Sequence, residues 1–117
     1  MPRDTLEVIS RLEQPAVWAK AQRLLGFALF RQAVLFGGED SARVLAEAAI
    51  AHQQALEVYT REQYPKQWVV TQSLLGNSLS RQSETTSGQE RARLLESATA
   101  AFRQALTGLT REEKPAL

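Results

Sequence analysis

Few residues in this chain could do chemistry. His52 is its only histidine, and it has no cysteine. A lone imidazole without thiolates or a carboxylate cluster is a poor metal ligand set. One histidine on an apolar stripe also offers no serine–histidine–acid arrangement. When the chain is compared with itself, His52 aligns with Phe102, a core position, so a half-buried structural histidine bonded to a neighbour is expected. Gly37-Gly38-Glu39-Asp40 precedes a helical pattern, where an anion site can form. It lacks the lysine–serine/threonine spacing of a phosphate loop, and its two acids would repel phosphate. Glu62, Glu112 and Glu113 close helical segments and are expected to face solvent. No catalytic residue, cofactor or metal is therefore expected, and the chain is expected not to be an enzyme.

The elements that position these residues occur twice. Pro15, Trp18, Gln22, Leu24-Leu25-Gly26, Leu29 and Arg31-Gln32 return fifty residues later as Pro65, Trp68, Gln72, Leu74-Leu75-Gly76, Leu79 and Arg81-Gln82. At that offset 21 of 50 positions are identical. Internal periodicity of this kind marks a helical repeat array. Apolar residues recur at three- and four-residue spacing throughout, which indicates helices. They are expected at about 15–34, 40–62, 65–83 and 88–113, after a short helix at 4–14.

Local signals mark the boundaries. Pro15 and Pro65 suit the first turn of a helix and disfavour helical geometry just before it. Gly37-Gly38 breaks the first long helix. Asp40 or Ser41 is placed to cap the next, and Ser87 with Glu90 has capping-box spacing. Asp4 with Glu7 has the same spacing, with Leu6, Ile9 and Leu12 on the apolar side. Trp18, Gln22, Leu25 and Leu29 form the expected inward face of the first long helix. Leu45, Ala48, His52, Ala55, Leu56 and Tyr59 form that of the second. Leu94, Leu95, Ala98, Phe102, Ala105, Leu106 and Leu109 form that of the last. Gly26 and Gly76 lie inside helices, where glycine costs about 1 kcal/mol against alanine. Their recurrence implies that a second helix approaches closely there.

Composition narrows the function classes. With 117 residues, 44% hydrophobic and 23% charged, this is one folded domain's worth of chain. The net charge of +1 gives no general pull toward nucleic acid or membrane. There is no signal-like start and no apolar run of membrane-spanning length, so a cytoplasmic location is expected.

At Leu25-Gly26-x-x-Leu29, Ala48-x3-His52, Ala98-x3-Phe102 and the closing prolines, the chain resembles the tetratricopeptide repeat family. That family's pattern is W-x2-L-G-x2-Y, then A-x3-F, then P, over ~34 residues. Three departures stand out. The period here is fifty. Trp18 and Trp68 sit one turn early, with Gln22 and Gln72 in the family's tryptophan place. Leu29 and Leu79 replace its tyrosine. The chain looks like a long-period variant found in bacterial multi-repeat proteins. The resemblance implies an all-α fold, an α-solenoid of antiparallel helix pairs. It would comprise a half repeat at 4–14, repeat one at 15–64 and repeat two at 65–114, cut from a longer array. It also implies a non-catalytic scaffold that binds a peptide or protein in a concave groove lined by the first helix of each repeat.

On that groove face the first long helix carries Lys20, Arg23, Phe27, Phe30, Arg31 and Val34. The second repeat offers Asn77 and Arg81, with Val70, Ser73, Ser80 and Glu84 at the other equivalent places. Aromatic, aliphatic and arginine side chains together are the material of binding hot spots. Two readings stand: a partner-binding surface, or residues covered by the N-terminal helix. A second function is self-assembly, as a homo-oligomer through the repeat ends. Arrays generally need about three units and polar caps, and here there are two and a half.

Overall fold

The computed structural model describes the backbone of residues 3–113 and the side chains of residues 7–110. The expected apolar side at Leu6, the cap at Asp4, the acids Glu112 and Glu113, and Pro115 lie outside the described side chains. The fold is all-helical: α1 (Arg3–Glu13), α2 (Pro15–Phe36), α3 (Ser41–Leu56), α4 (Pro65–Ser83) and α5 (Gly88–Glu113). There is no strand among the described residues.

Each helix packs on the next, and α2 also touches α4. The pairs run antiparallel. Ala19 of α2 meets Ala55 of α3, whereas Ala33 meets Val44 and Leu45. In the same way Trp68 and Val69 of α4 meet Ala105 of α5, while Leu75 and Leu79 share a cluster with Leu94 and Ala98. Leu56 joins α3 to α4 by packing against both clusters of the second pair.

The two prolines act identically. Gln14 and Tyr64 take nearly the same non-helical backbone angles, and each proline is at the start of its helix. Trp18 and Trp68 donate backbone N–H bonds to the carbonyls of Gln14 and Tyr64. Arg11 lies 4.8 Å from the ring centre of Trp18, and Arg61 lies 5.5 Å from that of Trp68. The periodicity thus reaches back into α1. At its other end α2 stops at Gly37, whose φ of 59° is left-handed, and whose N–H bonds to Ala33 O at 2.9 Å.

Gly26 and Gly76 decide how closely the pairs approach. A Cβ on Gly26 would stand 2.5 Å from Cε1 of His52. One on Gly76 would stand 2.6 Å from Cε1 of Phe102. In each pair an aromatic ring lies flat against a bare stretch of helix backbone. Small residues extend the contact: Ala19, Ala33, Ala48 and Ala55 on one pair, Ala98, Ala101 and Ala105 on the other.

Several expectations need correction. The second helix ends at Leu56 rather than near 62. Tyr59 is buried with Ala19 and Ala55, and its ring centre is 5.4 Å from that of Tyr64. With Tyr59 buried and Tyr64 half-buried against it, residues 57–64 fold into turns, closed by a bond from Gln63 N–H to the Thr60 hydroxyl. Asp40 makes no capping bond and lies 3.8 Å from Arg43. Glu90 forks onto Arg93 at 2.7 and 2.8 Å, so its carboxylate serves an ion pair instead of a capping box. The inward line of α2 is Ala19, Gly26 and Ala33, and Leu25 is left half-exposed. Leu95, Leu106 and Leu109 of α5 are exposed as well.

The glycine contact predicts a sign opposite to helix propensity. Gly26→Ala and Gly76→Ala each remove about 1 kcal/mol of helix cost but force a methyl group into a ring, and overpacking costs typically about 1–3 kcal/mol. Each variant should lower the denaturant midpoint. An exposed mid-helix Ala→Gly control, at Ala28, should also lower it, by the propensity term alone.

Candidate protein-interaction surface

The inward line of α2 fixes where its other side chains lie. A quarter turn away stand Lys20, Phe27, Arg31 and Val34, all exposed. The Arg31 guanidinium is 5.8 Å from the Phe27 ring centre. At an exposed site such a pair contributes about 0.5–1 kcal/mol. It holds ring and cation together as one composite surface.

The other two candidates on α2 turn toward α3. Phe30 is half-buried and packs with Leu29 against Ala33, Val44 and Leu45. Its cover is therefore α3, and the N-terminal helix takes no part. Arg23 is half-buried, lies close enough to His52 to repel its protonated form, and has a buried Nε without a bonded partner. On α4, Asn77 is exposed at the position equivalent to Phe27. Arg81 is exposed, and its guanidinium is 3.1 Å from Glu84. Arg81 and Val34 line one shallow depression of about 280 Å³ with Ala33, Ser41, Leu45, Glu84 and Thr85. The structure thus brings Val34 and Arg81 together. It gives the rest of the α2 flank an apolar–basic character and the α4 flank a polar one.

A larger concavity was not expected. Between α1 and α2 lies a groove of about 490 Å³, floored by Ile9, Val17, Trp18, Ala21 and Leu25. Glu7, Ser10, Glu13, Gln14 and Gln22 complete its lining. Trp18 carries Arg11 over its ring and keeps a buried indole N–H without an acceptor. The signal was in the sequence: Leu6-Glu7-Val8 repeats Leu56-Glu57-Val58. So α1 matches only the tail of α3, and it covers only one end of α2.

His52 is fully buried. Neither ring nitrogen has a hydrogen-bond partner. Burial, and then the charge of Arg23, lower its pKa from 6.5 to about 4. It is a neutral ring in a packed interface. Among the described residues, no three histidine, cysteine, aspartate or glutamate side chains are grouped as a metal site needs. No described helix is long and apolar enough to cross a membrane. No family model matches this chain, and no curated protein or solved structure proves similar to it.

The depressed His52 pKa makes stability depend on pH. The unfolded chain binds a proton below about pH 6.5, whereas the folded chain does so only below about 4. Stability should therefore fall as pH drops through that window, by about 1.4 kcal/mol per unit and about 3 kcal/mol in all. His52→Phe, which reproduces the ring at Phe102, should remove that part of the slope in urea titrations at pH 4–7. An unchanged slope would show that other groups carry it.

Proposed function

We propose that this chain is a non-catalytic helical-repeat scaffold of tetratricopeptide-like, α-solenoid type that binds a segment of another protein. The packing supports the repeat reading, because Gly26 on His52 and Gly76 on Phe102 are the same contact fifty residues apart. The observation that carries the binding reading is the exposed Phe27–Arg31 pair, with Lys20 and Val34 on the same flank. Exposed aromatics beside arginine are typical anchors of protein interfaces. A fitting partner brings an apolar side chain for Phe27 and Val34 and a carboxylate for Arg31 and Lys20. Such a segment, helical or extended, would lie along α2 and reach Arg81 and Asn77 on α4. Catalysis has no support in the one histidine, which is buried and neutral.

An array of short peptides that combine acidic and apolar residues tests this reading. Binders should lose affinity about thirtyfold or more with Phe27→Ser, as for an anchor worth about 2 kcal/mol. Arg31→Gln should weaken acidic binders and reduce their salt dependence. Asn77→Ala should change little. Equal binding by the wild type and Phe27→Ser would remove this flank from the account.

A further inference from the structure

The α3–α4 contact shows what the outer faces of α2 and α5 are built to meet. On the α4 side, Leu75 is 8% exposed and Thr71 and Ser78 are fully buried. Their counterparts on α2 are Leu25, at 49%, and Ala21 and Ala28, both exposed. On the α3 side, Ala49 is buried against Leu75, and Leu45, packed chiefly on α2, also borders Arg81 and Thr85 of α4 and is 2% exposed; their counterparts on α5, Thr99 and Leu95, are exposed, Leu95 at 42%. Each half of the internal interface therefore recurs, uncovered, at one end of the molecule. The uncovered α2 half is also the more apolar. Alanines stand where α4 has a buried threonine and serine, and Leu24 and Leu35 extend the face at 50% and 68% exposure. A lone surface leucine is ordinary, but a continuous apolar strip marks an interface.

We propose that these two faces are the halves of one interface, through which a second copy of this chain adds head to tail, α5 of one copy docking on α2 of the next. The occupant follows from the internal copy. The α5 face repeats the one element known to cover this surface, in the same register, with Leu95 and Thr99 in place of Leu45 and Ala49. Helix α1 holds the Trp18 end of α2, where residues 53–58 would lie by the repeat. Its inter-helix hold includes the Arg11 stack on Trp18 and an exposed Arg11–Glu57 ion pair. Full seating of α5 moves α1 off Trp18, so α1 acts as a displaceable cap. A head-to-tail contact is heterologous and builds open chains or rings. The proposal rests on the repeat and is independent of the Phe27 flank.

Light scattering coupled to size-exclusion chromatography, over a wide concentration range, tests it with three variants. The wild-type mass should climb above the chain mass of 13.0 kDa as concentration rises. Leu24→Glu spoils the α2 half and Leu95→Glu the α5 half. Both positions are exposed, and circular dichroism checks that the helices persist. Each variant alone should stay at the single-chain mass. An equimolar mixture should reach twice that mass and stop, because one intact half from each can pair only once. Phe27→Ser should assemble like the wild type. A wild type that remains a single chain at millimolar concentration overturns the proposal. So does a Leu95→Glu protein that still dimerises, since α2 would then be pairing with itself, or a mixture that does not pair.

Discussion

An aromatic ring pressed against a glycine sets the spacing of both helix pairs. Gly26 under His52 and Gly76 under Phe102 leave the backbones of α2 and α4 in direct contact with rings carried by α3 and α5. No residue with a side chain fits there without moving the ring. The contact explains why two glycines persist in helix interiors against their propensity. It also explains the many alanines around them: once the axes are that close, larger side chains have no room. Burial then falls on backbone and small residues, and close packing of many weak contacts provides the cohesion. The larger apolar groups are displaced to the edges of each pair, where neighbouring helices can reach them.

The rest of the architecture follows from which edges find a neighbour. Between α3 and α4 they do, and Leu56, Ala49 and Leu75 are covered. On α2 and α5 the same edges face outward. The α2 flank with Phe27 and Arg31 lies between the packed line and the outward edge, and it remains accessible. His52 shows the cost of economy in such a contact. A ring of the right shape fills the place over Gly26, but it carries two nitrogens with nothing to bond, and its partner Phe102 does not. The interface tolerates it by keeping the imidazole neutral.

Periodicity made much of this legible. The equality of residues fifty apart gave the helices their order, and Pro15 and Pro65 fixed two starts to the residue. The bounds of α4 and the start of α5 were readable because Pro65, polar turn residues and Gly88 flank them. What a repeat pattern does not contain is whether a neighbour is present. Leu25, Leu95 and Leu106 have the spacing of core residues, yet they are exposed among the described residues. Phe30 has the spacing of a groove residue, yet α3 is close enough to take its ring. The end of α3 was lost to a contact between Tyr59 and Tyr64, which the second repeat replaces with Leu109 and Lys114, so self-comparison gave no warning of the turn. Arg81 was readable as basic, but its pairing with Glu84 depends on the geometry of one helix end.

Two equal ring-on-glycine contacts hold the two helix pairs in the same way. Proton–proton nuclear Overhauser spectroscopy of the folded chain tests this most directly. Strong cross-peaks are predicted between the Gly26 α-protons and the His52 ring protons, and between the Gly76 α-protons and the Phe102 ring protons, with both glycine resonances shifted by the ring currents. Absence of either set in a folded, helical sample would contradict the account, because that pair would then be spaced by some other contact.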